Sequence, residues 1–174
     1  ICNDHYVFTA DGNVRDLDLN RLGMYDGICN GTTKLHADGD INLRTQEWDA
    51  DLTLRDIDWQ LDSSLLVTDE AHATLHSTPW ITCIMVENED NYAHLNSPMG
   101  MMQLAEKFGN TADEFKRQYN ERWLDVQRLK EPMPYFDFDM HMGTDGIAQR
   151  YLQQYEFDFR DISCEVSRDT SIYI

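Results

Sequence analysis

Residues 34–44 read KLHADGDINLR, and this stretch decides the fold class of the chain. Apolar side chains occupy odd positions from Leu35 to Leu43, and polar or charged side chains occupy the even positions. Successive side chains of a β-strand point to opposite faces, so the pattern predicts a strand with one dry and one wet face. Gly39 falls on the dry parity and is predicted to interrupt the strand.

The next run, residues 49–61, also alternates but changes phase part-way along. Its apolar side chains hold even positions as far as Leu54 and odd positions from Ile57 onward. A phase change within one strand requires an extra residue, which is what a β-bulge supplies. We therefore predict a bulge near Arg55-Asp56.

Strand-like alternation extends over most of the remaining chain. Further strands are predicted at residues 5–10, 16–19, 65–75, 80–86, 91–97, 135–142 and 155–166, with turns at 23–31 and 62–64. Leu65 and Val67 begin the apolar parity of their strand. The 80–86 stretch is apolar on both parities apart from Thr82, which predicts a strand covered on both faces. A phase change between Phe159 and Ile162 predicts a second bulge.

Residues 99–131 interrupt the strand series with apolar side chains at helical spacing. Gly109 is predicted to end a first helix, and Thr111–Glu114 match a capping box that begins a second. Asp125 is a predicted N-cap for a further short helix. Another short helix is predicted at residues 146–154.

An aromatic stripe runs along this helical region from Phe115 to Val126. Such a stripe most often packs against the rest of the fold, so we predict that it covers part of the sheet. The alternatives are a lid over a groove and a helix that binds a partner.

Sequential strands pair most simply as an antiparallel meander. The predicted fold class is mainly β, a curled antiparallel sheet that forms a trough, with one helical insertion. Bulges favour curling because they bend and twist a sheet, although a two-layer sandwich fits the alternation at least as well.

The domain organisation follows from these elements. We interpret residues 1–174 as a single segment, with strands in 1–98, the helical insertion in 99–131 and strands in 134–174. Both ends of the sequence are interpreted as internal cuts in a larger β-groove protein.

The chain is strongly acidic, with 32 Asp and Glu against 14 Lys and Arg and a net charge of −18. Such a surface repels phosphate backbones and anionic bilayers, so no direct nucleic-acid binding is expected. A solvated outer face is the favoured interpretation of this charge, and mimicry of a nucleic acid is the alternative. The sequence contains no long apolar run that would span a membrane and no signal peptide.

The chain contains four cysteines, and no two of them have CxxC spacing. These residues are Cys2, Cys29, Cys83 and Cys164. They permit two disulfides in an oxidising compartment, with three possible connectivities, or four reduced thiols. The sequence leaves both states open.

No residue pattern predicts catalysis or a resident metal. His72 and His76 share the wet parity of one strand with Glu70, but strand residues four apart lie ~13 Å from each other, too far for one ion. Asp-x-Asp pairs such as Asp38 and Asp40 lack the glycine-rich repeat of calcium-binding rolls, so calcium stays a minor alternative. Motifs for a nucleophile elbow, a P-loop or a metalloprotease are also missing. We therefore expect no enzyme activity, no catalytic residue, no cofactor and no metal site.

Three stretches carry a resemblance to a known family. They are residues 12–23 (GNVRDLDLNRLG), residues 50–61, and the passage from residue 95 through RWLDVQRLKEPMP at 122–134. Together they resemble the TamB and AsmA-like proteins of Gram-negative envelopes, and in particular the TamB-like proteins of Bacteroidetes. The similarity covers most of the chain as a pattern of alternation and turns, and the chain departs from it at Trp123.

The resemblance implies a periplasmic segment of a longer protein that is anchored in the inner membrane. Its fold would be a β-taco with a hydrophobic groove, and its role would be phospholipid transport to the outer membrane and outer-membrane biogenesis. The implied partners are phospholipid acyl chains and an outer-membrane assembly protein. The alternative is a ligand-free, β-rich structural or interaction module of the cell envelope, and an acidic surface enzyme is a third reading without support in the motifs.

The family resemblance implies that the apolar residues on one face of the strands line a lipid groove. The residues assigned to this lining are Leu35, Ile41, Leu43, Leu52, Leu54, Ile57, Trp59, Leu65, Val67, Phe136, Phe138 and Phe159. Their role would be to solvate acyl chains, at about 0.8 kcal/mol for each methylene moved out of water. Ordinary core packing is the alternative for each of them.

Overall fold

The computed structural model describes residues 4–16, 18, 28–61, 65–144, 146–153, 156–157 and 160–168. Within these residues the strands are β1 (His5–Val14), β2 (Ile28–Asn42), β3 (Glu47–Leu61), β4 (Leu65–Thr78), β5 (Ile81–Asn88), β6 (Asn91–Ser97), β7 (Phe136–Met142) and β8 (Ile162–Arg168). The helices are α1 (Met101–Glu121), α2 (Val126–Lys130) and α3 (Ile147–Gln153).

The strands form one sheet in the order of the sequence, β1 to β8, and every neighbouring pair is antiparallel. The sheet is not closed, so β1 and β8 are its edges among the described strands. This confirms the predicted fold class, mainly β with an antiparallel sheet in sequential order. Short hairpin connections explain most of the order from β2 to β6, whereas the helical insertion joins β6 to β7 and α3 lies between β7 and β8.

The predicted bulge lies where the phase of β3 changes. The pairing of β2 with β3 shifts register between Thr32 and Lys34, and Asp56 adopts a left-handed conformation with φ 50°. The extra residue lets β3 continue after Arg55 with a changed phase. The predicted interruption at Gly39 is wrong, because β2 runs through that position without a break.

The helical insertion follows β6 as predicted, but it contains fewer breaks than expected. Helix α1 continues through Gly109, which costs only about 1 kcal/mol relative to Ala in a helix interior. The Thr111 hydroxyl donates to the Lys107 carbonyl one turn earlier, so this residue does not begin a helix. The helix ends at Arg122, whose φ of 53° is left-handed. The Asp125 cap is confirmed, because its carboxylate accepts the amides of Gln127 and Arg128.

Other predictions have mixed outcomes. The short helix α3 falls within the predicted range 146–154. The last strand, β8, begins only at Ile162 in the described residues, and the second predicted bulge, between Phe159 and Ile162, falls partly outside them. Strand β5 is not covered on both faces, since Ile81 and Val86 are exposed. The predicted elements at 16–19 and 62–64, and Phe159, lie wholly or partly outside the described residues. The turn predicted at 23–31 is wrong from residue 28 onward, where β2 begins, and its first part lies outside the described residues.

Helix α1 is fastened to the sheet at its first turn. Ser77 on β4 and Thr82 on β5 are fully buried, and their hydroxyl oxygens lie 3.0 Å apart. The Thr82 hydroxyl donates to the Met99 carbonyl, and the Ser77 oxygen accepts the Met101 amide at 3.0 Å. The first helical turn has amides without partners in the helix, and Ser77 satisfies one of them. Phe108 of α1 packs on Phe136 of β7 nearby, with ring centres 5.3 Å apart.

Candidate apolar ligand surface

One face of the sheet carries two unbroken rows of apolar residues that cross all eight strands. The first row consists of Phe8, Gly39, Ala50, Leu75, Ile84, Leu95, Phe138 and Val166. The second row consists of Ala10, Ala37, Leu52, Ala73, Val86, Ala93, Met140 and Cys164. Directly paired residues of antiparallel strands share a face, so these rows define what we name the apolar face.

The apolar face is only partly shielded from solvent, because ten of the sixteen residues in its two rows are half-buried and five are exposed. Phe8, Leu52, Val86 and Val166 are 44%, 36%, 47% and 38% exposed, although they belong to its two rows. Only a few large apolar side chains of the described chain are buried. They are Ile57, Leu66, Met99, Leu104 and Phe136. Nothing in the described chain covers the apolar face in the way that a second layer covers an ordinary sheet.

An apolar sheet face left in water is unfavourable at about 25 cal/mol for each Å² of apolar area. Contact of the apolar face with an apolar partner would therefore be favourable.

The two helical regions lie at opposite ends of the central strands. Helix α1 begins beside Ser77, near the end of β4, and Arg150 of α3 donates to the carbonyl of Val67, near the start of β4. Arg150 also lies 3.5 Å from a carboxylate oxygen of Glu89. The rows of the apolar face pass between these two attachments.

The opposite face of the sheet is acidic and rich in histidine. Asp40 pairs directly with Asp49, and Asp38 pairs directly with Asp51. Like charges opposite each other destabilise a sheet unless they have cationic or donor partners. Four histidines contact the carboxylates of these Asp pairs, and the other two of the six contact acidic residues elsewhere. The pairs are His5–Asp40, His36–Asp11, His36–Asp38, His72–Asp51, His76–Asp49, His94–Glu87 and His141–Asp161, at 2.5 to 3.5 Å.

Two of these groups have shifted pKa values. The hydrogen bond with Asp11 raises the pKa of His36, with a further contribution from Asp38. The Thr9 hydroxyl, donating to Asp38 at 2.6 Å, lowers the pKa of that carboxyl, and His36 acts in the same direction. The acidic face is therefore a solvated, hydrogen-bonded surface, in contrast to the apolar face behind it.

Ten of the twelve predicted lining residues fall into three groups. Six lie on the apolar face or in phase with it: Leu35, Ile41, Leu52, Leu54, Phe136 and Phe138. Ile57 and Trp59 follow the bulge, where Ile57 is buried and Trp59 pairs with Leu66. Leu43 lies beyond the end of β2 and is exposed, and Phe159 lies outside the described residues.

Leu65 and Val67 differ from the expected alternation. They are 53% and 44% exposed, whereas Leu66 and Thr68 between and beside them are buried. The Thr68 hydroxyl accepts a hydrogen bond from Asn88, and Asn88 is in phase with Ile84 and Val86 of the apolar face. The predicted parity is therefore wrong for Leu65 and Val67, because β4 changes phase before Ala71.

Sequence reasoning missed the central and last strands of the apolar face. Ile84, Val86, Leu95, Met140 and Val166 were not assigned to a lining. In β5 the signal was hidden because Cys83 and Met85 on the acidic face are also apolar. Only the register with β4 and β6 separates the two faces there.

The described part of the chain shows neither a disulfide nor a group of residues placed to bind a metal ion. Cys83 and Cys164 are free thiols, and they lie on opposite faces of the sheet, so they are not positioned to pair with each other. The side chains of Cys2 and Cys29 lie outside the described residues. Among the described residues, no group of three His, Cys, Asp or Glu is placed to hold a metal ion.

Comparison of the chain with protein-family models, with curated proteins and with solved structures finds no match. None of the described helices is both long and apolar enough to cross a membrane.

Proposed function

We propose that this chain is a periplasmic segment of a TamB/AsmA-like envelope protein whose apolar face accommodates the acyl chains of phospholipid. In this role it contributes to phospholipid transport between the inner and outer membranes and to envelope assembly, and it is not an enzyme. The observation that carries the proposal is the pair of apolar rows that cross all eight strands without a charged residue.

The dimensions of the rows suit an acyl chain. Strands lie ~4.8 Å apart in a sheet, so a row across eight strands is about 34 Å long. One acyl chain spans about half of the ~30 Å hydrocarbon core of a bilayer, so a row has ample length for it. Each methylene moved from water onto such a surface gains at most about 0.8 kcal/mol.

The acidic face supports the same proposal from the other side of the sheet. Its carboxylates and histidines are solvated and hydrogen-bonded to each other, so covering them with acyl chains would be unfavourable. Acyl chains would therefore bind on the apolar face and not on the acidic face. An inner-membrane anchor and an outer-membrane assembly partner follow from the family resemblance alone and stay predictions.

The alternative function is a ligand-free, β-rich structural or interaction module of the cell envelope. In that case another layer of protein covers the apolar face, as in a two-layer sandwich. The open edges at β1 and β8, among the described strands, are compatible with such an assembly. The two functions differ in whether lipid accompanies the purified protein.

Native mass spectrometry of the protein expressed in a bacterial periplasm, followed by lipid extraction, tests the proposal. The test variant is Val86→Asn, on the apolar face and 47% exposed. The matched control is Val7→Asn, on the acidic face and 69% exposed. We expect bound phospholipid in the wild type and the control, and a reduced lipid-bound fraction in the test variant.

Circular dichroism of both variants verifies that the strand content is retained. Protein free of lipid in wild type and variants, with an intact fold, would reject the lipid function and favour the ligand-free module. A loss of lipid that is equal in both variants would also contradict it, because the two faces would then not differ.

A further inference from the structure

The end of helix α1 carries an exposed aromatic patch that is separate from the apolar face. Phe115, Tyr119, Trp123 and Leu124 are 52%, 76%, 68% and 58% exposed, and we name these four residues the aromatic patch. They line a cavity of about 700 Å³ together with neighbouring polar residues. The predicted packing of the stripe from Phe115 to Val126 against the sheet is therefore wrong.

The patch is held in place by a buried glutamine. The Gln118 side chain donates to the Asp125 carbonyl at 3.0 Å and accepts the Asp125 amide at 2.7 Å. Gln118 is only 3% exposed, so these bonds fix the turn between α1 and α2 that displays Trp123 and Leu124. The aromatic side chains are thus presented by a fixed backbone rather than by a loose chain end.

The charge of this region differs from that of the remaining chain. Residues 99–131 carry equal numbers of acidic and basic side chains, so the whole net charge of −18 belongs to the rest of the sequence. Arg117 is neutralised within the helix by Glu114 and Glu121. The hydrogen bonds that Arg117 and Gln118 donate to Glu114 hold the Glu114 pKa at about 2. Beside the patch, Lys116 and Arg122 make no ion pair with any described residue.

We propose that the aromatic patch docks on the headgroup region of a lipid bilayer that contains anionic lipid. Trp and Tyr are suited to this region because one end of each ring system is apolar and the other forms hydrogen bonds. Lys116 and Arg122 supply positive charge for lipid phosphates, and Phe115 and Leu124 supply apolar area. The acidic sheet is repelled from such a surface, so this end of the molecule is the one that approaches it.

This docking surface goes beyond the proposed function and does not depend on it. A segment whose apolar face carries no lipid can still dock by the aromatic patch, and the converse also holds. The two are distinguished because acyl-chain binding is measured on protein in solution, whereas docking is measured on intact vesicles.

Flotation with vesicles of phosphatidylcholine and phosphatidylglycerol in equal parts tests the docking surface. The test variant is Trp123→Ser, and the matched control is Trp80→Ser, which is 81% exposed at the β4–β5 turn. We expect the wild type and the control to float with the vesicles and the test variant to remain largely at the bottom. Arg122→Gln should weaken binding by about fivefold, and added salt should weaken it further.

Three results would overturn the proposal. The first is a wild type that fails to float with these vesicles, and the second is a Trp123→Ser variant that floats as well as the wild type. The third is a wild-type dimer in analytical ultracentrifugation that Trp123→Ser dissociates, because the patch would then be an interface between two copies of the chain. Circular dichroism of each variant establishes that the helices are retained.

Discussion

The ring of Phe8 on β1 lies over Gly39 on β2, so closely that a Cβ at Gly39 would overlap ring carbons Cε1 and Cζ. The two residues are direct partners in the sheet and begin the first row of the apolar face. The same arrangement recurs at the other end of β2, where a Cβ at Gly31 would lie 2.8 Å from the ring of Trp59. Aromatic side chains of the neighbouring strands thus cover the glycines of β2, which fills the gap that a glycine leaves on a sheet face.

Replacing Gly39 with Ala should destabilise the sheet, because the new methyl group displaces the Phe8 ring. We expect the free energy of unfolding, measured in urea, to fall by less than about 1 kcal/mol, because the exposed Phe8 ring can move and Ala loses less backbone entropy on folding than Gly. Gly12→Ala is the control, because a Cβ there meets nothing within 4 Å. The double variant Phe8→Ala with Gly39→Ala should show that the two changes are not additive, and strict additivity would contradict the packing described.

The buried hydroxyl of Ser77 should contribute strongly to the attachment of α1. Ser77→Ala leaves the Met101 amide without its partner and removes the bond with Thr82. A buried polar group that loses its partner costs about 1 to 3 kcal/mol, which urea unfolding should reveal. Ser167→Ala, which removes an exposed hydroxyl bonded to Asp137, should change stability much less. Equal effects of the two substitutions would count against the role of Ser77.

Stability should decline as the pH rises through the folded-state pKa of His36. This pKa is raised chiefly by the bond to Asp11, so the folded state binds the proton more tightly than the unfolded chain does. The resulting stabilisation is fully present below the unfolded-state value of 6.5 and is lost above the folded-state pKa. Asp11→Asn should lower the His36 pKa in an NMR titration and flatten this part of the stability profile. An unchanged titration in that variant would refute the assignment.

The sequence was sufficient for the class and order of the strands because alternation is a local signal. The alternation in residues 34–44 does mark a strand, and the phase change at Arg55-Asp56 does coincide with a bulge in β3. Helix breaks were harder to predict, because Gly109 and Thr111 are weak signals that a long amphipathic helix overrides. The extent of the apolar face could not be predicted, since it depends on the register of pairs such as Leu75 with Ile84.

The most direct test of the central claim places a photoactivatable phenylalanine analogue at position 86 or position 7 of the protein in a bacterial periplasm. These positions lie on the apolar and acidic faces respectively, and both side chains are exposed. If the apolar face accommodates acyl chains, irradiation should yield phospholipid adducts at position 86 and few or none at position 7. Protein adducts in place of lipid at position 86, or equal lipid labelling at both positions, would contradict the account.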